Sequence, residues 1–196
     1  MSAGPGSRGP YAKSHARRAE ILRTALEAFS ARGFQGSSLR EIAEAVGLSQ
    51  AGVLHHFSSK EVLLAAVLAQ KDEASVSHFT AAAGTSVLDG LRAVVAANVE
   101  QPGLVRLFAT LSAEAINEEH PAHEHFQQRY AGTRQRVAEA LAQGQAAGQV
   151  RGDVDVQLTA AQVVAVMDGL QVQWLLDPSF DMVAAFDAFL LPLKPS

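Results

Sequence analysis

The chain has 196 residues, of which 48% are hydrophobic and 18% are charged, and it contains no cysteine. This composition supplies enough apolar material for a folded core and excludes a wholly disordered protein. The absence of cysteine excludes disulfide scaffolds, thiolate zinc sites, iron–sulfur clusters and cysteine nucleophiles. No apolar run reaches the roughly 18 residues that cross a bilayer, and no signal peptide is visible. We therefore expect a cytoplasmic protein without a membrane partner.

Charge is distributed unevenly along the chain, whose net charge is −4. Residues 1–60 carry eight Lys and Arg against four Asp and Glu, whereas residues 61–196 carry eight against sixteen. A small basic module on an acidic body is drawn to phosphates through one end only. This asymmetry favours a nucleic-acid partner for the N-terminal part of the chain.

The first predicted elements are a flexible N-terminal arm and one long helix. The arm covers residues 1–13, which are rich in Gly, Pro and Ser. A helix is predicted over 14–32 because apolar side chains recur at helical spacing. They are Leu22, Ala25, Leu26 and Phe29. Gly33 follows and provides the left-handed residue at which many helices end.

Two short helices joined by a tight turn are predicted next. A capping-box pattern at Ser38 and Glu41 begins the first helix, and Gly47 ends it. Ser49 is placed to cap the second helix, over 50–57. A long helix followed by two short ones and a glycine-containing turn is typical of a helix-turn-helix DNA-binding domain.

The remaining pattern is helical throughout. A second capping-box pattern, at Ser58 and Glu61, predicts the start of a fourth helix. Five further helices are predicted over 86–100, 102–119, 122–148, 154–177 and 181–191. No segment has the alternation of a β-strand bounded by hairpin turns. The predicted fold is therefore all-α, with about nine helices.

Four motifs fall at the spacing of one known family: Gly33-Phe34, Ser37–Ala43, Val46–Ser49 and His56–Glu61. They resemble the TetR (tetracycline repressor) family of transcriptional regulators over residues 14–68. The resemblance implies a homodimer with a DNA-binding domain over 14–60 and a ligand-binding and dimerisation domain over 61–196. It also implies that a ligand changes the separation of the two recognition helices and releases an operator.

The chain departs from the family pattern at two neighbouring positions. Leu54 and His55 stand where relatives usually have aromatic residues, most often Tyr, that meet the DNA backbone. Leu54 cannot donate a hydrogen bond, so His55 is the expected substitute for this phosphate contact. The operator of a better-known relative therefore cannot be carried over to this chain.

Base reading is expected from the first turn of the second short helix. The Gln50 amide can pair with adenine, Ala51 can touch a thymine methyl group, and Gly52 permits close approach. Ser49 can cap the helix or contact phosphate, but not readily both. The alternative is that Gln50 is simply a solvated residue.

Phosphate contacts are expected from helix starts and from positions that match the family pattern. These residues are Ser38, Arg40, His55, His56 and Lys60. Two alternatives remain open: His56 packs between helices, and Lys60 is solvated. A second basic set either follows a DNA groove or forms a solvated tail. It consists of Arg8, Lys13, Arg17 and Arg18.

An effector pocket and a dimer interface are predicted in the C-terminal helices. Apolar bulk with a few polar groups suits a largely apolar small molecule. The pocket candidates are Phe108, Leu111, Glu114, Phe126, Tyr130, Met167 and Trp174. The eighth helix is apolar on more than one face, which favours pairing with the last helix in a four-helix dimer interface. The interface candidates are Val163, Leu170, Phe186 and Leu190. Ordinary burial inside the subunit is the alternative for both sets.

Metal and enzyme chemistry receive little support. His120, His123 and His125 lie near three glutamates, but this spacing does not put three ligands on one helical face. A nucleophile elbow, a P-loop and a dinucleotide-binding glycine motif are all missing from the sequence. We therefore expect no metal, no cofactor and no enzymatic activity.

The function predicted from these patterns is a dimeric, sequence-specific DNA-binding transcriptional regulator. A repressor that a ligand releases from a near-palindromic operator is the preferred form. An activator on the same scaffold is one alternative. An all-helical small-molecule carrier or enzyme without DNA binding is another.

Overall fold

A computed structural model describes residues 10–84 and 86–195, and this part of the chain is helical without strands. It contains nine α-helices and one short 3₁₀ helix. They are α1 (Pro10–Arg32), α2 (Leu39–Ala45), α3 (Gln50–His56), α4 (Lys60–Ala82), α5 (Val87–Val99), α6 (Pro102–Glu114), α7 (His123–Ala146), α8 (Val156–Leu176), α9 (Met182–Leu190) and the 3₁₀ turn Leu191–Leu193. The all-α prediction is confirmed.

The chain divides after Val67 into two compact units. The first unit contains α1 to α3 and the first two turns of α4, and the second contains the rest of the helices. The division lies a few residues beyond the predicted boundary at 60/61. The reason is that α4 begins at Lys60 and runs without interruption from one unit into the other.

Local capping organises the first unit as the sequence predicts. The Ser38 hydroxyl accepts a hydrogen bond from the Glu41 N–H at 3.2 Å, and the Glu41 carboxylate accepts one from the Ser38 N–H at 3.0 Å. The Ser49 hydroxyl accepts from the Gly52 N–H at 3.1 Å. These side chains satisfy donors that the ends of short helices would otherwise leave without partners.

Glycine supplies the backbone conformation of the turn between α2 and α3. Gly47 has φ +67°, in the left-handed region that other residues avoid. Its N–H donates to the Glu44 carbonyl at 3.1 Å, and the Leu48 N–H donates to the Ala43 carbonyl at 2.8 Å. Gly33, at φ +72°, ends α1 in the same way.

Three predicted helix ends were wrong. Helix α1 begins at Pro10 rather than at residue 14. Proline fits the first turn of a helix because the N–H that it lacks would have no partner there. Residues 1–9 of the predicted arm lie outside the described residues. Helix α4 is capped by Ser59, whose hydroxyl accepts from the Val62 N–H at 3.2 Å, so the box expected at Ser58 does not form. Helix α6 ends at Glu114 rather than at residue 119, and the polar run 117–120 that follows it ends at Pro121.

The core of the second unit lies among α5, α7, α8 and α9. Helix α8 packs against α6, α7 and α9, and α5 packs against α9. Fully buried side chains from these helices meet in one cluster, which includes Leu91, Val95, Leu141, Val163, Met182 and Phe186. This cluster positions the inward faces of α7 and α8.

One buried polar pair joins α4 to α5. Lys71 is 7% exposed and Asn98 is 3% exposed, and the Lys71 Nζ donates to the Asn98 Oδ1 at 2.5 Å. Burial lowers the pKa of Lys71 from 10.5 to about 8, helped by the nearby positive charge of Arg129, while Asp72 acts in the opposite direction. Since one pKa unit is about 1.4 kcal/mol, the charged form of Lys71 costs the folded state about 3 kcal/mol.

We expect Gly47→Ala to lower the free energy of unfolding by about 1–2 kcal/mol, the usual cost of placing a side chain in the left-handed region. A Cβ atom at this position would meet no heavy atom within 4 Å, so the loss would come from the backbone alone. Urea denaturation measures it. Gly152→Ala is the matched control, because its Cβ would also meet open space and its φ is not left-handed. Equal effects of the two substitutions would contradict this explanation.

We expect Lys71→Met to raise the free energy of unfolding at pH 7 by about 1–3 kcal/mol, because it removes a buried charge. The gain is reduced because the Asn98 amide oxygen loses its hydrogen-bond donor. The wild-type folded state releases the Lys71 proton near pH 8, whereas the unfolded chain holds it to about pH 10.5. The wild type therefore regains stability between these values, and the advantage of the variant shrinks there. Urea denaturation from pH 7 to 10.5 tests this, with exposed Lys13→Met as the control. A destabilised variant, or a difference that does not change with pH, would contradict it.

Candidate DNA-binding helix and effector cavity

The start of α3 presents an open surface for base reading. Gln50 and Ala51 are exposed, and Gly52 is half-buried. Val53 is fully buried on the opposite side of the helix and anchors it to the unit. A Cβ at position 52 would meet the Leu48 side chain at 3.5 Å, an ordinary contact, so Gly52 is not required by packing within the chain. Its small size is free to serve close approach to a partner.

The two predicted serine contacts are already engaged in helix caps. The Ser38 and Ser49 hydroxyls each accept a hydrogen bond from a backbone N–H three residues later. Of the two roles considered for Ser49, the structure shows the cap. These serines therefore hold the starts of α2 and α3 in shape.

The cationic and histidine candidates are at least partly accessible. Arg40 has an 80% exposed side chain that pairs with Glu44 at 2.9 Å. This contact raises the pKa of Arg40 through its hydrogen bond and charge. His55 is exposed and His56 is half-buried, with ring centres 5.7 Å apart. The half-buried Lys60 places its Nζ 4.3 Å from the centre of the Phe34 ring.

Two arginines have a positioning role that the sequence did not predict. One Nη of Arg17 donates to the Val46 carbonyl at 3.1 Å, at the end of α2. One Nη of Arg18 donates to the His56 carbonyl at 3.2 Å, and its guanidinium lies 4.1 Å from the Phe57 ring centre, at the end of α3. Cations stabilise the carbonyl ends of helices. Both arginines therefore tie α1 to the helix-turn-helix. Lys13 is exposed, and Arg8 lies outside the described residues.

A cavity of about 370 Å³ lies within the second unit, between α4, α5, α6, α7 and α8. This volume falls in the range of small-molecule sites. Much of its wall is apolar and includes Phe79, Leu91, Val105, Phe108, Phe126 and Met167. Its polar side chains include Lys71, Asp72, Asn98, Arg129, Tyr130 and Asp168.

Four of the seven pocket candidates line this cavity: Phe108, Phe126, Tyr130 and Met167. The other three are not among its lining residues. Leu111 and Trp174 are buried in the core, and Glu114 has a 45% exposed side chain that faces His120 at 3.6 Å. Glu114 lies at the last residue of α6, beyond the stretch that contacts the cavity.

The charged groups of the cavity were missed, although the sequence carries a signal for them. Lys71 continues the apolar stripe of α4 at helical spacing from Leu64 and Leu68. Asp168 interrupts an apolar run of α8. A charged residue on an apolar helix face indicates a special environment, because burial of an unpaired charge is costly.

Arg129 organises one side of the cavity. Its Nε donates to the Asp72 carboxylate at 2.6 Å. Its guanidinium carbon lies 5.1 Å from the Phe108 ring centre and 5.7 Å from that of Tyr130, within the range of cation–π attraction. Phe126 completes the aromatic group, 5.8 Å from Phe108 and 6.3 Å from Tyr130.

A second polar pair joins α7 to α8. The Tyr130 hydroxyl donates to the Asp168 carboxylate at 2.7 Å. Burial raises the pKa of Tyr130 to about 12, assisted by this hydrogen bond, and burial also raises the pKa of Asp168 above its usual range. Burial disfavours the charged form of each group, and the hydrogen bond joins the inward faces of the two helices.

The predicted dimer residues lie in the core of the subunit. Val163 and Phe186 are 0% exposed and Leu190 is 3% exposed, while half-buried Leu170 packs against the same cluster. The intramolecular alternative therefore holds for this set. The apolar surface that α8 leaves open lies on its other side. It consists of Leu158, Ala161, Ala165, Gly169 and Leu176, all exposed. Val172, also exposed, borders the cavity as well.

The three histidines considered for metal binding have separate partners. His120 faces Glu114, the His123 Nδ1 lies 2.8 Å from the Ala115 carbonyl, and His125 faces Asp72 at 3.6 Å. Among residues 10–84 and 86–195, no group of three potential ligands converges as a metal site would require. Within the same ranges, no helix combines the length and apolarity of a membrane span.

Comparison with known proteins covers both units. Residues 21–67 match the profile described as bacterial regulatory proteins of the tetR family, and residues 85–191 match that of the BetI-type transcriptional repressor, C-terminal. The HTH-type transcriptional repressor AcnR of Corynebacterium efficiens is 30% identical over 157 residues, which are 78% of each chain.

Solved structures share the fold. A putative TetR-family transcriptional regulator from Rhodococcus sp. has a TM-score of 0.79 and 24% identity, covering 92% of this chain and 100% of that one. A putative transcriptional regulator from Saccharomonospora viridis, solved in complex with choline, has a TM-score of 0.76 and 23% identity over 93% and 100%. The C-terminal profile alone spans over half of the chain. The chain therefore belongs to the TetR family of bacterial regulatory proteins, and it is a DNA-binding transcriptional regulator rather than an enzyme.

Proposed function

We propose that this regulator is a dimeric repressor that reads a near-palindromic operator through α3 and is released by a small molecule bound in the cavity. The observation that carries the proposal is the capped and anchored α3, whose first turn exposes Gln50 and Ala51. A repressor is favoured over an activator because the C-terminal profile and AcnR are both described as repressors.

DNA recognition is assigned to the first unit. The Gln50 amide pairs with an adenine edge, and Ala51 meets a thymine methyl group. Arg40, His55 and Lys60 contact phosphates and set the register. In a dimer the two α3 helices enter major grooves one turn apart, about 34–36 Å, or a multiple of it.

Dimerisation is assigned to the exposed apolar face of α8, which replaces the residues predicted from the sequence. Leu176 is 82% exposed and Leu158 is 66% exposed in the single chain, and a partner is needed to cover them. Ala161, Ala165 and Gly169 lie between them and present small side chains. Small residues let two helices approach closely, which suits a helix-to-helix dimer contact.

Helix α8 also links the cavity to this face. Val164, Met167 and Asp168 line the cavity, while Ala165 and Gly169 lie on the exposed side of the same turns. A ligand that presses on α8 from inside therefore acts on the surface that holds the dimer together. This supports effector control through dimer geometry, which then sets the spacing of the α3 helices.

Selection from a random duplex library at about 150 mM salt tests the proposal, since non-specific binding is weakened there. Enrichment of a near-palindrome is the expected result. No enrichment by folded, dimeric protein that has been refolded free of ligand would overturn it. A transcription assay with the selected site upstream of a promoter separates repression from activation.

We expect Gln50→Ala to weaken binding to the selected operator by about 1–3 kcal/mol and to relax the base preference at one position of each half-site. Binding to random DNA should change little, because phosphate contacts remain. Titration of both DNAs by fluorescence anisotropy measures this difference. Gln128→Ala, an exposed glutamine on α7, is the matched control. An equal loss on both DNAs would exclude a base-reading role.

We expect Ala165→Glu to convert the dimer to monomer at micromolar concentration, because it buries a carboxylate without a partner in the proposed interface. Sedimentation equilibrium measures the change. Ala142→Glu on α7 is the control, since Ala142 is exposed and lies outside the proposed face. If Ala165→Glu stays dimeric, this face is not the interface.

A further inference from the structure

The cavity contains a buried cation whose charge is not neutralised by the protein. The Lys71 Nζ hydrogen-bonds the neutral amide oxygen of Asn98. Among the described residues, no carboxylate lies within ion-pair distance of it: Asp72, its neighbour in sequence, pairs instead with Arg129 and faces His125. A buried charge without a counter-ion is costly, so its retention beside an open cavity needs an explanation.

The other carboxylates at the cavity have hydrogen-bond or ion-pair partners, and exposed Glu139 accepts from the Gln135 amide at 2.8 Å. Asp72 is held by the Arg129 guanidinium at 2.6 Å. Asp168 accepts from the Tyr130 hydroxyl, and its burial raises its pKa. Lys71 is therefore a buried cation at the cavity that has a neutral amide as its partner and hydrogen-bond donors left for a ligand.

The aromatic wall already holds a cation. The Arg129 guanidinium lies over the faces of Phe108 and Tyr130, at 5.1 and 5.7 Å. A quaternary ammonium ligand would need these same ring faces and would meet two positive charges, Arg129 and Lys71. This arrangement disfavours a cationic ligand.

The rest of the cavity suits an apolar body. Side chains of five helices form its apolar wall, including Phe79, Leu91, Val105, Val137 and Met167. At about 370 Å³ it can enclose a molecule of modest size. An ammonium group has three donors, and the Asn98 oxygen takes one of them, so donors remain for an anionic head group.

We propose that the effector is a small organic acid whose carboxylate accepts hydrogen bonds from the Lys71 ammonium and whose apolar body lies against the aromatic and aliphatic wall. This inference rests on the proposed effector function of the cavity and names its ligand class. The bound carboxylate neutralises Lys71. It thereby links α4, which begins in the DNA-binding unit, to the inner wall of the second unit.

A matched ligand series tests the class on the unmodified protein. Octanoate, 1-octanol and octyltrimethylammonium share an alkyl chain and differ in head-group charge. Titration calorimetry at pH 7 is expected to show octanoate binding at least about tenfold more tightly than either of the others, the ratio that a charge-assisted hydrogen bond supplies. Equal binding of all three, tighter binding of the ammonium, or no binding of octanoate at millimolar concentration would overturn the proposal.

Substitution of the buried cation tests the site. Lys71→Met leaves an unbranched side chain of similar length and removes its charge. It is expected to weaken octanoate binding at least about tenfold while leaving 1-octanol binding within about twofold. Arg134→Met is the control, because Arg134 is an exposed cation on α7 that does not line the cavity. Unchanged octanoate affinity in Lys71→Met, with urea denaturation showing a folded protein, would exclude Lys71 as the carboxylate partner.

Operator binding separates this proposal from the function on which it rests. If the protein selects a near-palindrome but prefers no acid, the ligand class is wrong and the repressor assignment stands. If the protein binds octanoate through Lys71 but selects no operator, the acid site stands and the repressor assignment fails. Release of the selected operator at the octanoate concentration that half-fills the cavity is the result expected when both are correct.

Discussion

Helix α8 has apolar side chains around most of its circumference, and the architecture of the second unit follows from covering them. Val163 and Trp174 enter the core with α7 and α9, and Val164 and Met167 form a wall of the cavity. The face that ends at Leu176 is not covered by any part of the chain that the structure describes. One helix thus takes part in the subunit core, in the cavity and in the surface to which we assign dimerisation. A change on any one of these faces acts on the other two through a rigid element.

Electrostatics in the second unit are arranged around a cavity rather than around a surface. Asp72 is matched by the Arg129 guanidinium, and Asp168 accepts a hydrogen bond from the Tyr130 hydroxyl. Lys71 differs because its partner is an amide. Buried polar groups of this kind reduce stability, and proteins retain them where recognition needs them. The contrast between paired and unpaired groups is what points to an anionic ligand.

The first unit shows how short helices are held in place without a large core. Helices α2 and α3 have seven residues each, too few to be stable alone. Caps at Ser38 and Ser49 satisfy their first turns, and Arg17 and Arg18 bind carbonyls at their ends. The reading surface of α3 is therefore oriented by contacts on every side except the one that it presents to a partner.

The sequence by itself determined the features that depend on neighbours along the chain. The capping box at Ser38, the cap at Ser49 and the left-handed Gly47 are local in origin, because their hydrogen bonds and torsion angles join residues only a few positions apart. The helical periodicity and the motifs of the DNA-binding unit were likewise sufficient to identify the family.

Only the tertiary structure decided which apolar side chains are core, cavity wall or open surface. Helical spacing places Val163 and Ala165 on one apolar helix without showing which side meets α7. Three of the four interface candidates therefore lie in the subunit core, and two pocket candidates, Leu111 and Trp174, do not line the cavity. The same holds for Lys71. Its role depends on the hydrogen bond with Asn98, 27 positions away, and on the pairing of Asp72 with Arg129. Periodicity records that a helix has an apolar face, whereas the neighbour that covers this face is set by packing between segments distant in the chain.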